Sequence, residues 1–208
     1  MDNFPDYILD ALRRVGLARR EYQEYASIEA LKLLQDGFNA EINLPPGTGK
    51  TLISQIIGCI WLRQNDRDRR KVLCIVPTSN LLGQHFQYCQ WWAGESKLCV
   101  PLEISPGWIR SKSIWHQKRA EQSDFWFAMP ELFFNAVNNA YVPDDTLAHV
   151  GLVIIDEYDA FSVGLIRAEG HQFRFDKDFD KLAMRLMAHE RRYLLMSATP
   201  ARSSDKED

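Results

Sequence analysis

Three stretches of the chain are apolar almost without interruption: Val72-Leu-Cys-Ile-Val76, Phe125-Trp-Phe-Ala128 behind Asp124, and Val150-Gly-Leu-Val-Ile-Ile155. A strand with one wet face alternates apolar and polar side chains, whereas a strand covered on both faces has no place for a polar one. Helical spacing separates these runs, with Leu81, Leu82, His85, Phe86 and Cys89 after the first and Phe133, Phe134 and Val137 after the second. Buried strands alternating with helices predict an α/β domain. The 208 residues suit one domain with a full core, and no apolar run approaches the roughly 18 residues of a membrane helix.

The segment Leu44-Pro-Pro-Gly-Thr-Gly-Lys-Thr51 lies between an alternating, strand-like stretch (Phe38 to Leu44) and a helical pattern through Leu52, Ile53, Ile56, Ile57, Ile60 and Trp61. Glycines at 47 and 49 let the backbone turn tightly and aim N–H groups inward, and the helix that follows adds its positive dipole end. The segment therefore reads as a phosphate-binding loop made by Pro46, Gly47, Thr48, Gly49, Lys50, Thr51 and Leu52. Lys50 would reach the β- and γ-phosphates, and the Thr51 hydroxyl would sit on the bridging Mg²⁺. The first glycine of the general pattern GxxxxGKS/T is replaced by Leu44.

Directly after the run ending at Ile155 stands Asp156-Glu-Tyr-Asp159. The carboxyl end of a parallel strand is where an open α/β sheet places its ligand chemistry. Asp156 is expected to hold Mg²⁺, and Glu157 to orient and deprotonate an attacking water. Tyr193-Leu-Leu-Met196 reads as a last strand delivering Ser197 and Thr199 to the same edge, either as γ-phosphate sensors or as a plain polar strand end.

Ahead of the loop, Arg20, Tyr22 and Gln23 form an R-x-Y-Q pattern on a second helix, after a first helix over residues 6 to 17 that Gly16 would stop. The amide of Gln23 has a donor end and an acceptor end, so it fits adenine N7 and N6. A solvated glutamine explains it equally well. Gln64 to Lys71 reads as a solvated charged connector, and Cys99 to Ile104 as a short edge strand because of Pro101. One of the adjacent Trp91 and Trp92 belongs in the core and the other to a surface. Residues 105 to 123 mix Arg110, Lys112, Lys118 and Arg119 with Trp108 and Trp115, which suits either nucleic acid or a helix with a basic face. An irregular excursion over 160 to 178 and a short helix from Leu182 to His189 complete the pattern.

Cys59, Cys74, Cys89 and Cys99 lack CxxC spacing and pair with no histidine at ligand distances, so buried reduced thiols are expected. A net charge of −3 argues against a polybasic coat but leaves room for a local nucleic-acid groove. The N-terminus has no signal-peptide layout, which makes an intracellular address the expectation. No N/TKxD motif for guanine is present.

Taken in order, these motifs resemble the first RecA-like domain of superfamily 2 helicases and translocases, of the DEAD/DEAH-like kind. Gln23 matches the Q motif, Leu44 to Thr51 motif I, Val76 to Gln84 motif Ia, Asp156 to Asp159 motif II and Ser197 to Pro200 motif III. The resemblance implies a RecA-like P-loop NTPase fold, a mostly parallel central sheet with helices on both faces. It further implies ATP and Mg²⁺ as ligands, and coupling of ATP hydrolysis to movement along DNA or RNA. Pro77 and Thr78 of motif Ia would contact the strand backbone, while Met129-Pro130 stands where motif Ib has Thr-Pro. Arg20 and Gln23 would serve the base, Lys50, Asp156 and Glu157 the chemistry, and Ser197 and Thr199 the coupling. Family members carry a second RecA-like domain whose arginines complete the ATP site, so full activity is expected to need one in cis or trans. Residues 1–36 are expected to form Q-motif helices, 37–202 the RecA-like domain and 203–208 a polar tail. The competing expectation is a non-catalytic module that keeps the fold and binds a protein partner.

Overall fold

The computed structural model describes residues 3–65, 70–105, 114–158 and 191–198. Asp159, the excursion after it, the helix expected at Leu182 to His189, Thr199 and the tail all lie outside the described residues. So do Trp108, Arg110 and Lys112 of the basic-aromatic stretch.

Elements alternate as expected: α1 (Asp6–Arg14), α2 (Glu21–Gln35), β1 (Ala40–Asn43), α3 (Lys50–Gln64), β2 (Lys71–Ile75), α4 (Ser79–Cys89), β3 (Pro101–Ile104), α5 (Ile114–Gln122), β4 (Phe125–Ala128), α6 (Pro130–Asn138), α7 (Asp144–Ala148), β5 (Val150–Asp156) and β6 (Arg192–Ser197). A π-helical turn, Gln90–Gly94, extends α4. The strands form one sheet in the order β1-β6-β5-β2-β4-β3, with every pairing parallel. Pro101 does begin an edge strand. The first strand is shorter than the alternation from Phe38 to Leu44 suggests, because Phe38 is exposed and precedes the pairing with β6.

Period-two geometry sorts the apolar runs into two cores. Val72, Cys74, Phe125, Phe127, Leu152, Ile154, Leu194 and Met196 join the core built with α1 to α4. Their neighbours Leu73, Ile75, Trp126, Ala128 and Val153 join the opposite core, with Phe133, Ala136 and Val137 of α6 and Leu147 of α7. Both faces are therefore covered by helices, which is why β2, β4 and most of β5 carry no polar side chain toward water. Helix α3 is buried from Leu52 to Leu62, as a helix apolar all round must be.

The adjacent tryptophans divide as expected, with Trp92 fully buried and Trp91 40% exposed. All four cysteines are buried and free. Lys71 corrects the reading of a solvated connector through residue 71. It is buried at the start of β2, and its ammonium donates to the carbonyls of Ala120 (3.2 Å), Glu121 (2.8 Å) and Ser123. Among the described residues no helix is long and apolar enough to cross a membrane.

Candidate functional site

Because the sheet is parallel, the carboxyl ends of β1, β6, β5 and β2 stand side by side at one edge. The register pairs Asn43 with Ser197, Met196 with Asp156, and Ile155 with Ile75. Sequence segments from opposite ends of the chain thereby meet: the loop after β1, Asp156 and Glu157 ending β5, Ser197 ending β6, and Pro77 and Thr78 after β2. Leu44 N–H continues the β1–β6 pairing by donating to the Ser197 carbonyl at 3.2 Å. Ser197 is fully buried there.

The loop between β1 and α3 depends on two left-handed residues, Gly47 (φ +78) and Gly49 (φ +80), the second being the N-cap of α3. These conformations close the turn so that α3 begins at Lys50, with its free N–H groups facing the loop interior. The Thr48 hydroxyl donates to the Pro45 carbonyl at 2.7 Å and tightens the turn. Lys50 folds back over the loop, its ammonium donating to the carbonyls of Leu44 (2.9 Å) and Pro45 (3.3 Å). Pro46 and Gly47 are exposed, Thr48 to Thr51 partly covered, and Leu52 buried beneath.

Helix α2 reaches the loop from the side. Gln23 is buried, and its Nε2 donates to the Thr48 carbonyl at 2.9 Å. The Tyr22 hydroxyl donates to the same carbonyl at 2.8 Å and accepts from Arg20 Nη1 at 3.1 Å. The amide so placed is a strut for the loop, and its Oε1 and second N–H are not used in this bond. Sequence reasoning gave Tyr22 no role. Its one signal is its position beside Gln23.

Across the site, Asp156 is 4% exposed. Its Oδ2 lies 2.9 Å from Nε2 of His85, which is 1% exposed on α4 and 3.5 Å from the Thr51 hydroxyl. On its other side His85 Nδ1 lies 3.9 Å from Cys74 Sγ. Burial, reinforced by Asp156, holds the Cys74 thiol well above its ordinary pKa, and which of the two atoms donates follows from the tautomer of His85. Sequence spacing could not show this contact, because β2 and α4 are brought together by the crossover. Below, Gln55 donates to the His85 carbonyl at 3.0 Å and accepts from Trp92 Nε1 at 2.6 Å, locking α4 onto α3.

Asp156 Oδ1 is buried and has no hydrogen-bond partner among the described residues. A buried carboxylate oxygen left unpaired costs free energy unless a cation or donor completes it. With the Thr51 hydroxyl nearby, the donor set is oxygen-rich and suits Mg²⁺. Glu157 follows with φ +50, a left-handed conformation rare for a residue with a side chain. Tyr158 ties this turn to β1 by donating to Glu41 Oε1 at 2.6 Å.

A groove of about 560 Å³ opens beside the loop, walled by Gly49, Thr51 and Leu52 on one side and His85, Tyr88 and Trp91 on the other. A larger pocket, about 670 Å³, lies where Val100 and Ser123 precede β3 and β4, at the opposite edge of the sheet from the loop. Thr78 is exposed and caps α4, its Oγ1 accepting from Leu81 N–H at 3.4 Å. Lys118 and Arg119 are exposed on α5.

A sequence profile of the family described as DEAD/DEAH box helicase matches residues 21–206. Among solved structures, a hypothetical ATP-dependent RNA helicase from Sulfolobus tokodaii is 20% identical with a TM-score of 0.66, covering 95% of this chain and 51% of that one. The RNA helicase Prp28 from Chaetomium thermophilum bound to ADP is 18% identical with a TM-score of 0.67, covering 98% of this chain and 45% of that one. The DUF1998 helicase MrfA is 16% identical with a TM-score of 0.69, covering 97% and 30%. At these identities the likeness is one of fold, and the chain spans about half or less of each structure's length. No curated protein matches the sequence.

Proposed function

The chain belongs to the DEAD/DEAH box helicase family, and from that membership we propose that it is the ATP-binding half of a motor that couples ATP hydrolysis to movement along, or remodelling of, a DNA or RNA strand. The observation that carries this reading is the convergence of the Lys50 loop, Asp156 and Ser197 at one sheet edge, with Gln23 fastened to the loop from the side.

Each residue's work follows from its position. Phosphate oxygens take the inward N–H groups of the loop, and the Lys50 ammonium exchanges the carbonyls of Leu44 and Pro45 for them. Thr51 and Asp156 would hold Mg²⁺, which when bound neutralises phosphate charge. Glu157 accepts the proton of the attacking water, and its left-handed backbone sets it off from the line of β5. Gln23 reads the adenine edge with the amide positions that Thr48 leaves open, with Arg20 and Tyr22 beside it. Ser197, bonded through its carbonyl to the first residue of the loop, and Thr199 after it relay the state of the phosphates to the next motif. Pro77 and Thr78, at the end of β2, face the strand backbone.

A second RecA-like domain, in the same polypeptide or a partner, supplies arginines to the γ-phosphate; such contacts are worth about 10³ to 10⁵ in rate where dissected. Without that domain these 208 residues bind ATP but hydrolyse it slowly. Calorimetry with Mg·ATP, beside Lys50→Ala and with GTP as competitor, tests this. Binding that prefers ATP and is lost in the Lys50 variant is expected. A folded wild-type chain that ignores ATP would overturn the proposal in favour of a fold kept for protein interaction.

A further inference from the structure

We propose that His85 is a positioning residue for the metal-binding carboxylate: its imidazole fixes Asp156 through Oδ2 so that Oδ1 faces the cation, and links that carboxylate to the Thr51 hydroxyl across the site. The inference rests on the function proposed above.

His85 is fixed before any ligand arrives. Cys74 meets Nδ1, Phe127 lies against the ring with centroids 6.3 Å apart, and Gln55 holds the backbone carbonyl. An ionised carboxylate only accepts, so Nε2 carries the proton and donates it to Asp156 Oδ2 at 2.9 Å, which leaves Nδ1 facing Cys74. One oxygen of the carboxylate is thereby used, and the other is left buried and unpaired. A carboxylate free to rotate would instead turn either oxygen toward the nearest donor and lose order. The same Nε2 lies 3.5 Å from Thr51 Oγ1, within reach of both oxygen donors of the proposed cation site. The bond to Oδ2 holds Asp156 in place before the cation binds, which lowers the cost of ordering it at that moment.

Groups that orient a metal ligand in this way typically contribute about 10- to 100-fold in metal affinity.

The test compares ADP affinity in EDTA with ADP affinity in Mg²⁺, by calorimetry on the full chain, for wild type, His85→Leu, His85→Phe and His85→Gln. The near-isosteric Phe variant guards against misfolding of the Leu variant, and thermal melting of each checks the fold. The expected result is an unchanged affinity in EDTA, with the Mg²⁺-dependent gain reduced about tenfold in the Leu and Phe variants. Gln places an amide N–H near the Nε2 position and restores most of that gain. An equal Mg²⁺ gain in wild type and in the folded Leu or Phe variant overturns this role for His85 while leaving the nucleotide site intact. Absence of ADP binding by the wild type would overturn the functional reading itself, and this proposal with it.

Discussion

Gln23 and Thr48, from α2 and the phosphate loop, are joined by an amide-to-carbonyl hydrogen bond of 2.9 Å, and the Tyr22 hydroxyl reaches the same carbonyl at 2.8 Å. The residue proposed to read the base therefore also braces the loop proposed to hold the phosphates. A shift of α2 at this point would therefore be felt by the loop.

Separating the two bonds separates the two roles. Tyr22→Phe removes one donor to Thr48 and leaves the other, so Mg·ATP affinity should fall by about threefold or less. Gln23→Ala removes the strut and the adenine contact together, a loss of about 1.5 kcal/mol or roughly tenfold. It should also narrow the preference for ATP over GTP. Competition calorimetry reads both quantities, and an unchanged ATP/GTP ratio in Gln23→Ala would remove Gln23 from base recognition.

Lys71 gives a prediction about stability and pH. Its ammonium reaches three carbonyls at the end of α5 and before β4, of which that of Ser123 also accepts from Trp126 Nε1 at 3.2 Å, so Lys71→Met should cost about 1–3 kcal/mol through the Ala120 and Glu121 acceptors left unpaired. Burial, opposed by Asp124, pushes the folded pKa down from 10.5 to about 8. The unfolded chain thus binds more protons between those values, and stability contributed by this residue rises as pH climbs from about 8 to 10.5. Urea unfolding of both proteins across that range should show the Met variant's deficit growing with pH.

Helix α3 leaves no spare room over β4. A Cβ on Gly58 would lie 2.5 and 2.6 Å from ring carbons of Phe125, and Phe125 is stacked on Phe127 with centroids 4.7 Å apart, so it has nowhere to retreat. Overpacking of this kind costs about 1–3 kcal/mol, against roughly 1 kcal/mol that alanine returns as a better helix former. Gly58→Ala should be destabilising by up to about 2 kcal/mol in a denaturant melt. Adding Phe125→Leu should recover part of the loss relative to Phe125→Leu alone, and strict additivity would exclude the clash.

The parts of this molecule that were legible in the sequence are those where one residue type admits one environment. Val72 to Val76 could be satisfied only between two helical layers, and Gly47 and Gly49 ahead of Lys50 and Thr51 marked a tight turn that opens a helix. His85 was not legible, because a histidine at an apolar helical position reads as another core residue. Its meaning comes from β2 lying beside β5, which places Cys74 and Asp156 on either side of the ring. Lys71 was hidden by its charged neighbours, since composition cannot tell which lysine of a run turns inward. Gln23 could be read as a base contact from its place before the loop, but its bond to Thr48 required knowing how α2 packs on α3.

Gly47 and Gly49 look alike in sequence and have nearly the same φ, yet they should not tolerate alanine equally. A Cβ on Gly47 would meet nothing within 4 Å, so Gly47→Ala carries only the left-handed strain, about 1–2 kcal/mol. A Cβ on Gly49 would lie 2.5 Å from Gln23 Nε2, so the same strain is joined by expulsion of the amide from Thr48. Gly49→Ala should therefore lose ATP affinity at least tenfold more than Gly47→Ala. Because the Gly49 substitution already displaces Gln23, adding Gln23→Ala to it should cost far less than Gln23→Ala costs the wild type. A double-mutant cycle on Mg·ATP affinity measures that coupling. A coupling near zero would mean that the two residues do not act through each other, and that the loop holds its shape without α2.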